Sequence, residues 1–288
     1  MSPDLSIMII NWNTRELLLK CLQSITRHAS PKKLEVLVVD NGSTDGSTEA
    51  VRKSFSQVRL IKNEENLGFA RAANQGIKNS SARHILLLNS DTEIYEGTLE
   101  RVIDFLDREE KVGAVGLKIV NPDGSLQHSC RRFPSFITAT AHAFLGPVMP
   151  NNPFSQEYKL ARWDHRQVEE VDWVSGAAMG LRRQALDEVG LFDERFYMYL
   201  EDMDLCERLK ERGWQVKYLP DAVVLHHIAG SSQRRSVRMT IEHQKSIYRF
   251  LRKRYVGTWR VLLLPLIYGG LIVRGAIVIT LERIKRES

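Results

Sequence analysis

A few carboxylates and one histidine pair stand where an α/β chain could put them to chemical use. Asp40 closes the apolar run Leu34–Asp40, Asp91 lies just past His84–Asn89, and Glu201-Asp202 opens a helical pattern that runs to Gly213. His226-His227 closes the run from Ala222. Asp40 offers lone pairs to the N–H and O–H groups of a ligand, although Asp-Asn-Gly-Ser also makes a turn for backbone reasons alone. Asp91 suits a hard divalent cation, which takes oxygen ligands and bridges to phosphate; it equally suits the cap of a following helix. Asp202 is placed to act as a general base, or only to complement a helix dipole. Neighbouring strand residues face opposite ways, so only one histidine of the pair can face a given site; His226 is preferred, with His227 as the alternative.

The elements that must position these groups are legible as strand–helix alternation. Leu5–Ile10, Leu34–Asp40, Val58–Ile61, His84–Asn89 and Val112–Leu117 are almost continuously apolar, as strands covered on both faces are. Glu16–Thr26 carries an apolar stripe through Leu17, Leu18, Cys21, Leu22 and Ile25. Such alternation predicts an α/β fold with a mostly parallel sheet flanked by helices, whose ligands bind beyond the carboxyl ends of the strands. Three polar tips fall there: Asp40–Ser47, Asn63–Gly68 and Asn89–Thr92. The stretch from Val120 to Glu170 holds five prolines and reads as a loop-rich insert facing the variable substrate. Regular structure resumes with Val171–Arg183, the helix from Glu201, and the strands Trp214–Leu219 and Ala222–His227.

Charge and cysteine usage narrow the setting. Three widely spaced cysteines with no CxxC spacing (Cys21, Cys130, Cys206) argue against a disulfide framework or thiolate zinc site and suit a reducing compartment. The start lacks the basic region of a signal peptide. The net charge of +6 is concentrated: Ser231–Arg260 contains nine Lys or Arg and one Glu. An apolar run of 21 residues with one charge, Arg274, follows from Val261 to Leu281. Basic residues beside an apolar run point to an anionic membrane surface rather than to nucleic acid. Pro265, Gly269-Gly270 and basic flanks on both sides favour a shallow or re-entrant segment; a buried terminal helix or a homodimer contact is the soluble alternative.

The runs SIMIINWNT, VLVVDNGSTDGS, ENLGFARAANQGI, ILLLNSDTEI, VSGAAMGLRR and GLFDERFYMYLEDMDLCERLKERGW, in this order over residues 5–232, resemble glycosyltransferase family 2, in particular its bacterial rhamnosyltransferase-like branch. That resemblance implies a GT-A fold and inverting transfer from a nucleotide-sugar donor, dTDP- or UDP-linked, with rhamnose the best guess. The acceptor implied is a lipid-linked or cell-surface glycan, the cofactor Mg²⁺ or Mn²⁺, and the location the cytoplasmic side of the membrane. By the same resemblance Asn13, Asp40, Asn41, Asn66, Arg71, Asn89 and Ser90 face the donor. Trp173, Ser175, Gly176 and Glu201 line the sugar and acceptor pocket, Asp202 is the base, and Asp91 with His226 holds the metal. Gly230, Ser231 and Ser232 match the residues that follow the family's histidine. One departure stands out: Asn89 replaces the first Asp of the metal motif, leaving Asp91 as its assured anion. The implied division is a catalytic domain over 1–232 (donor half 1–118, acceptor half 119–232) and a membrane-docking extension over 233–288. A nucleotidyltransferase or dehydrogenase is disfavoured because no GxGxxG follows the first strand; an inactive glycan-binding protein is disfavoured by the retained Asp91, Asp202 and histidines.

Overall fold

The computed structural model describes residues 2–28, 32–133, 151–227 and 237–287, together with positions 138, 145 and 149. Gly230, Ser231 and Ser232 lie outside the described residues. The strands β1 (Leu5–Asn11), β2 (Leu34–Asp40), β3 (Arg59–Lys62) and β4 (His84–Asn89) form a parallel block in the order β3-β2-β1-β4. The sequence alternates them with helices α1 (Arg15–Arg27), α2 (Ser47–Ser54) and α3 (Phe69–Lys78). Because β1 is paired on both edges and covered on both faces, Leu5, Ile7, Met8 and Ile9 are all fully buried, which is why this strand reads as unbroken apolar sequence. One core packs the β-sheet against Leu18, Leu22 and Ile25 of α1; the other packs it against Ala70, Ala73 and Ile77 of α3.

The second half adds β5 (Thr92–Ile94), α4 (Thr98–Arg108), β6 (Val112–Val120), β7 (Leu126–Gln127), β8 (Cys130–Arg131), α5 (Pro153–Tyr158), β9 (Glu169–Glu170) and β10 (Trp173–Val174). Then come β11 (Ala178–Arg182), α6 (Arg183–Val189), α7 (Glu201–Glu211) and β12 (Gln215–His226). The sheet continues past β4 as β11-β6-β12-β5. β11 runs antiparallel to both β4 and β6, so its entry, Ser175-Gly176, arrives at the carboxyl end of β4. A polar tip and a glycine turn are thereby brought together by topology. The result is a mixed, mostly parallel sheet with helices on both faces.

Two expectations are refined. Trp214–Leu219 and Ala222–His227 are one strand, β12, whose register slips between Leu219 and Val223. Pro220 sits inside that slip; having no N–H for the ladder, it belongs at an irregularity. The stretch from Val120 to Glu170 also carries short paired elements: β7 on β6, and β8 on β10. All three cysteines are buried free thiols, pushed up to about 12 by burial.

Helix α8 (Val237–Tyr255) lies on the catalytic half, and a short turn of helix (Trp259–Leu263) leads to α9 (Leu264–Glu287). Phe250 enters the core beside α7, and the Ser246 hydroxyl donates to the Met198 carbonyl at 2.9 Å. α9 leans on α8 through Arg274, which donates to Gln244 at 2.9 Å, and through the Tyr248 and Tyr268 rings, 5.3 Å apart. Large apolar side chains are open on the short turn, where Trp259 is 71% exposed and Leu262 79%, and on α9, where Leu266 is 77% exposed. The segment Trp259–Thr280 is long and apolar enough to cross a membrane by length and composition, with a mean hydropathy of 2.1.

Candidate active site

The strand tips form a connected hydrogen-bond network. Asn11 and Asp40 end neighbouring strands in register, and the Asn11 amide donates to Asp40 Oδ2 at 2.7 Å. Asp40 Oδ1 accepts the Ser43 N–H at 2.9 Å, so the carboxylate is fully buried yet satisfied. Thr14 ties this tip to the next, donating to Asn11 at 2.7 Å and meeting the Ser90 hydroxyl at 2.6 Å. Asn41 holds the Asn63–Gly68 tip. Its amide donates to Asn66 Oδ1 at 3.0 Å, and its own oxygen accepts the Leu67 N–H at 3.0 Å. The three tips named from sequence are therefore one surface.

Two glycines make that surface possible. Gly42 has φ +78°, and a Cβ there would lie 2.7 Å from the Glu65 backbone. Gly68 has φ +88°, and a Cβ would lie 2.4 Å from the Tyr197 carbonyl oxygen, which already accepts the Phe69 N–H at 2.8 Å. Gly68→Ala is expected to destabilise the fold by more than ~1 kcal/mol, because both the left-handed backbone and the close contact oppose a side chain. Urea unfolding followed by circular dichroism would check this; an unchanged midpoint would contradict it.

Asp91 and His226 meet on paired strands at the third tip. His226 Nε2 lies 3.1 Å from Asp91 Oδ1, and Gln127 Oε1 faces Nδ1 at 3.0 Å. His227 turns to the other side, where its Nε2 is 2.6 Å from Glu93. In the tautomer that donates Nδ1–H to Gln127, Nε2 presents a lone pair to the carboxylate, the arrangement that orients a histidine as a metal ligand. A carboxylate beside an imidazole is a donor set that would suit a divalent cation. Among the described residues no third His, Cys, Asp or Glu joins them.

Asp202 sits at the start of α7 behind two left-handed residues, Tyr199 (φ 69°) and Leu200 (φ 66°). Non-glycine residues in this conformation each cost about 1–2 kcal/mol, so neighbours must hold them. Ser246 fixes the preceding carbonyl of Met198, and the His243 ring packs edge-on to Tyr199 at 5.1 Å. At the far side, buried Asp204 accepts Arg208 at 2.9 Å and Lys253 of α8 at 2.5 Å. The Asp202 carboxylate accepts the Gly176 N–H at 3.0 Å and the Met203 N–H at 2.8 Å. Burial raises its affinity for a proton, while those two N–H groups and Arg131 hold it down. Glu201 is raised further, by burial and by Asp202 beside it, and its Oε2 has no partner among the described residues. The next residue after Gly176 closes the circle: the Ala177 carbonyl accepts the Asn89 N–H at 3.0 Å. Two consecutive residues thus join the Asp202 helix to the Asp91 tip.

The other residues named from sequence fall as follows. Asn89 and Ser90 lie on the Asp91 tip, and the Ser175 oxygen accepts the Ala177 N–H at 3.3 Å. Asn13 is left-handed (φ 54°) and accepts the Thr44 N–H at 2.8 Å, shaping the first turn. Trp173 is buried, with its ring under the Arg131 guanidinium. Arg71 is 56% exposed and paired with Glu194 at 3.7 Å, apart from the strand-tip network. Sequence reasoning missed Asn11, Thr14, Gln127 and Arg131. Asn11 alone left a signal, a polar residue ending an apolar strand two positions before Asn13.

Residues 6–190 match the model of Glycosyl transferase family 2. The chain is 34% identical to the N-acetylglucosaminyl-diphospho-decaprenol L-rhamnosyltransferase of Mycobacterium tuberculosis, an alignment covering all of this chain and 97% of the relative. It is 28% identical to the O-antigen biosynthesis protein RfbC of Myxococcus xanthus over 80% of this chain and 18% of that protein. In structure it resembles the mannosyltransferase PcManGT of Pyrobaculum calidifontis, solved with GDP-Man and Mn²⁺, with a TM-score of 0.59 and 18% identity over 99% of this chain and 76% of the other. GalNAc-T7 solved with UDP, GalNAc and Mn²⁺ gives a TM-score of 0.61 at 14% identity, covering 85% of this chain and 48% of that one. The sheet order, the strand-tip network and these likenesses agree on a GT-A fold, and the chain belongs to glycosyltransferase family 2.

Proposed function

We propose that this glycosyltransferase moves a deoxyhexose, L-rhamnose, from a dTDP- or UDP-linked donor to an N-acetylglucosaminyl-diphospho-polyprenol, with inversion at the sugar carbon. The placement of Asp202 carries the reading of the reaction: a partly buried carboxylate with both oxygens fixed by backbone N–H groups, joined through Gly176 and Ala177 to the Asp91 tip. Inversion needs one base on the face opposite the leaving diphosphate, taking the acceptor proton as its oxygen attacks. Asp202 has a remaining lone pair on each oxygen for that proton, and its upward shift makes it the stronger base. Asp40 and Asn41 hold the loops that shape the nucleoside end of the site, and Ser90 closes that side. Asp91 and His226 would hold a divalent cation, which when bound neutralises the diphosphate as it departs. The sugar and the acceptor are taken from the mycobacterial relative, whose similarity runs the length of the chain.

The division at residue 232 fits this reading. The catalytic domain is 1–232, with the donor half over 1–118 and the acceptor half over 119–232, and residues 233–288 dock it on the cytoplasmic side of the membrane. The open apolar face of α9 beside the basic residues of α8 supports such docking, and a polyprenyl acceptor requires it.

Incubating the full-length enzyme in detergent with a panel of nucleotide sugars and an N-acetylglucosaminyl-diphospho-prenol tests the reading. Transfer from dTDP-rhamnose, with the opposite anomeric configuration by NMR, is the expected result. A product of retained configuration, or preference for a different donor and a non-lipid acceptor, would replace it.

A further inference from the structure

A group of cations lies beside Asp202 without a carboxylate partner. Arg131 stands across from Trp173 where β8 pairs with β10. Its guanidinium carbon is 5.0 Å from the Trp173 ring centre and 5.6 Å from that of Tyr158, so two aromatic faces clamp it. Its Nε is buried and finds no acceptor among the described residues. Lys159 follows Tyr158 directly, and no ion pair to either Arg131 or Lys159 occurs among the described residues. The two cations are close enough to repel: Lys159 is shifted toward its neutral form by burial and then by Arg131. His128 is shifted the same way by burial, by His165 and by both cations. Asp202 senses this group, its charge being favoured by Arg131.

Like charges gathered without a counter-ion raise the energy of the empty protein, and an anion entering between them relieves it. A guanidinium fixed by stacking, with an unpartnered Nε and a planar fork of donors, is suited to phosphate oxygens. We propose that Arg131 and Lys159 bind the diphosphate of the lipid-linked acceptor and so lay the sugar next to it against Asp202. This rests on the acceptor class proposed above. The chemistry of that acceptor sets the geometry: its prenol oxygen is already esterified, so the nucleophile is a hydroxyl of the sugar, one ring away from the diphosphate. A base with a cation pair at its side meets that requirement. The donor diphosphate is the other source of such an anion, but its grip lies at the ends of β1, β2 and β4, whereas Arg131 belongs to the β8–β10 pair.

The test uses the full chain in detergent with two acceptors of equal prenyl length: N-acetylglucosaminyl diphosphate and a neutral N-acetylglucosaminide. Arg131→Gln is expected to raise KM for the diphosphate acceptor on the order of 10- to 100-fold, the scale of a lost hydrogen bond to a charged group. KM for the nucleotide sugar should stay within about twofold, and the loss on the neutral acceptor should be much the smaller, being only the effect of Arg131 on the charge of Asp202. Lys159→Gln should act in the same direction and less strongly, guarding against misfolding of the Arg131 variant. Equal losses on both acceptors, or a rise in KM for the nucleotide sugar alone, would overturn the assignment while leaving the acceptor class intact. If the wild-type enzyme used no diphosphate-linked acceptor, the proposed function and this inference would fall together.

Discussion

Asp202→Asn is expected to cut turnover by at least ~100-fold, the range of lost general-base catalysis, while donor affinity stays near the wild-type value. The substitution keeps the size of the side chain and one carbonyl oxygen, which can still accept the Gly176 or the Met203 N–H. What it removes is the charge that takes the acceptor proton. The pH profile supplies a second reading. Burial raises the proton affinity of Asp202, so the acidic limb of kcat/KM should lie above the ordinary carboxylate range, activity being lost as pH falls through that raised value. In the variant the limb should disappear from the residual activity. Steady-state kinetics with an authentic acceptor decides it; turnover near wild type would remove Asp202 from the role of base.

The second large effect is expected at the third strand tip. Asp91→Ala should abolish the gain in donor affinity that Mn²⁺ confers and lower turnover on the order of 100-fold, since a cation at a departing diphosphate supplies several kcal/mol. His226→Ala should weaken the same response less, because a neutral imidazole brings no charge, and His227→Ala should leave it intact, since that ring is engaged with Glu93. Calorimetry of the nucleoside diphosphate with and without Mn²⁺ measures the response directly. Equal affinity in both conditions for the wild type would sink the metal site.

The parallel half of the fold was legible because its strands are buried on both faces and its polar tips break that pattern abruptly. Asp40, Asn41, Asn66, Ser90 and Asp91 could be placed on a common edge from this alone. The choice between His226 and His227 could not be counted from the strand's period, because the slip at Pro220 resets which side chains face inward. Asn11 and Asn13 exchanged roles for a related reason: Asn11 is still in the ladder beside Asp40, and Asn13 has already turned left-handed. Gln127 and Arg131 left no trace, since each lies on a strand of two residues, too short for any periodicity. Arg71 on α3 pairs with Glu194, in the turn after α6, through a contact far apart in sequence, which no local pattern reports.

The pair Tyr199–Leu200 bears on how inhibitors of this enzyme should be sought. A soluble fragment ending before α8 would keep every strand-tip contact, all of which lie before residue 100 apart from those of β12 and the β11 entry. It would lose the Ser246 bond to Met198, the ring of His243 and the Lys253 bond to Asp204. With those supports gone, the two left-handed residues would be freer to relax toward ordinary backbone, and the helix start that carries Asp202 would shift with them. Compounds selected on such a fragment would fit the nucleotide end faithfully and the acceptor end falsely. Screening belongs on the whole chain, where α8 also holds the start of the Asp202 helix in line.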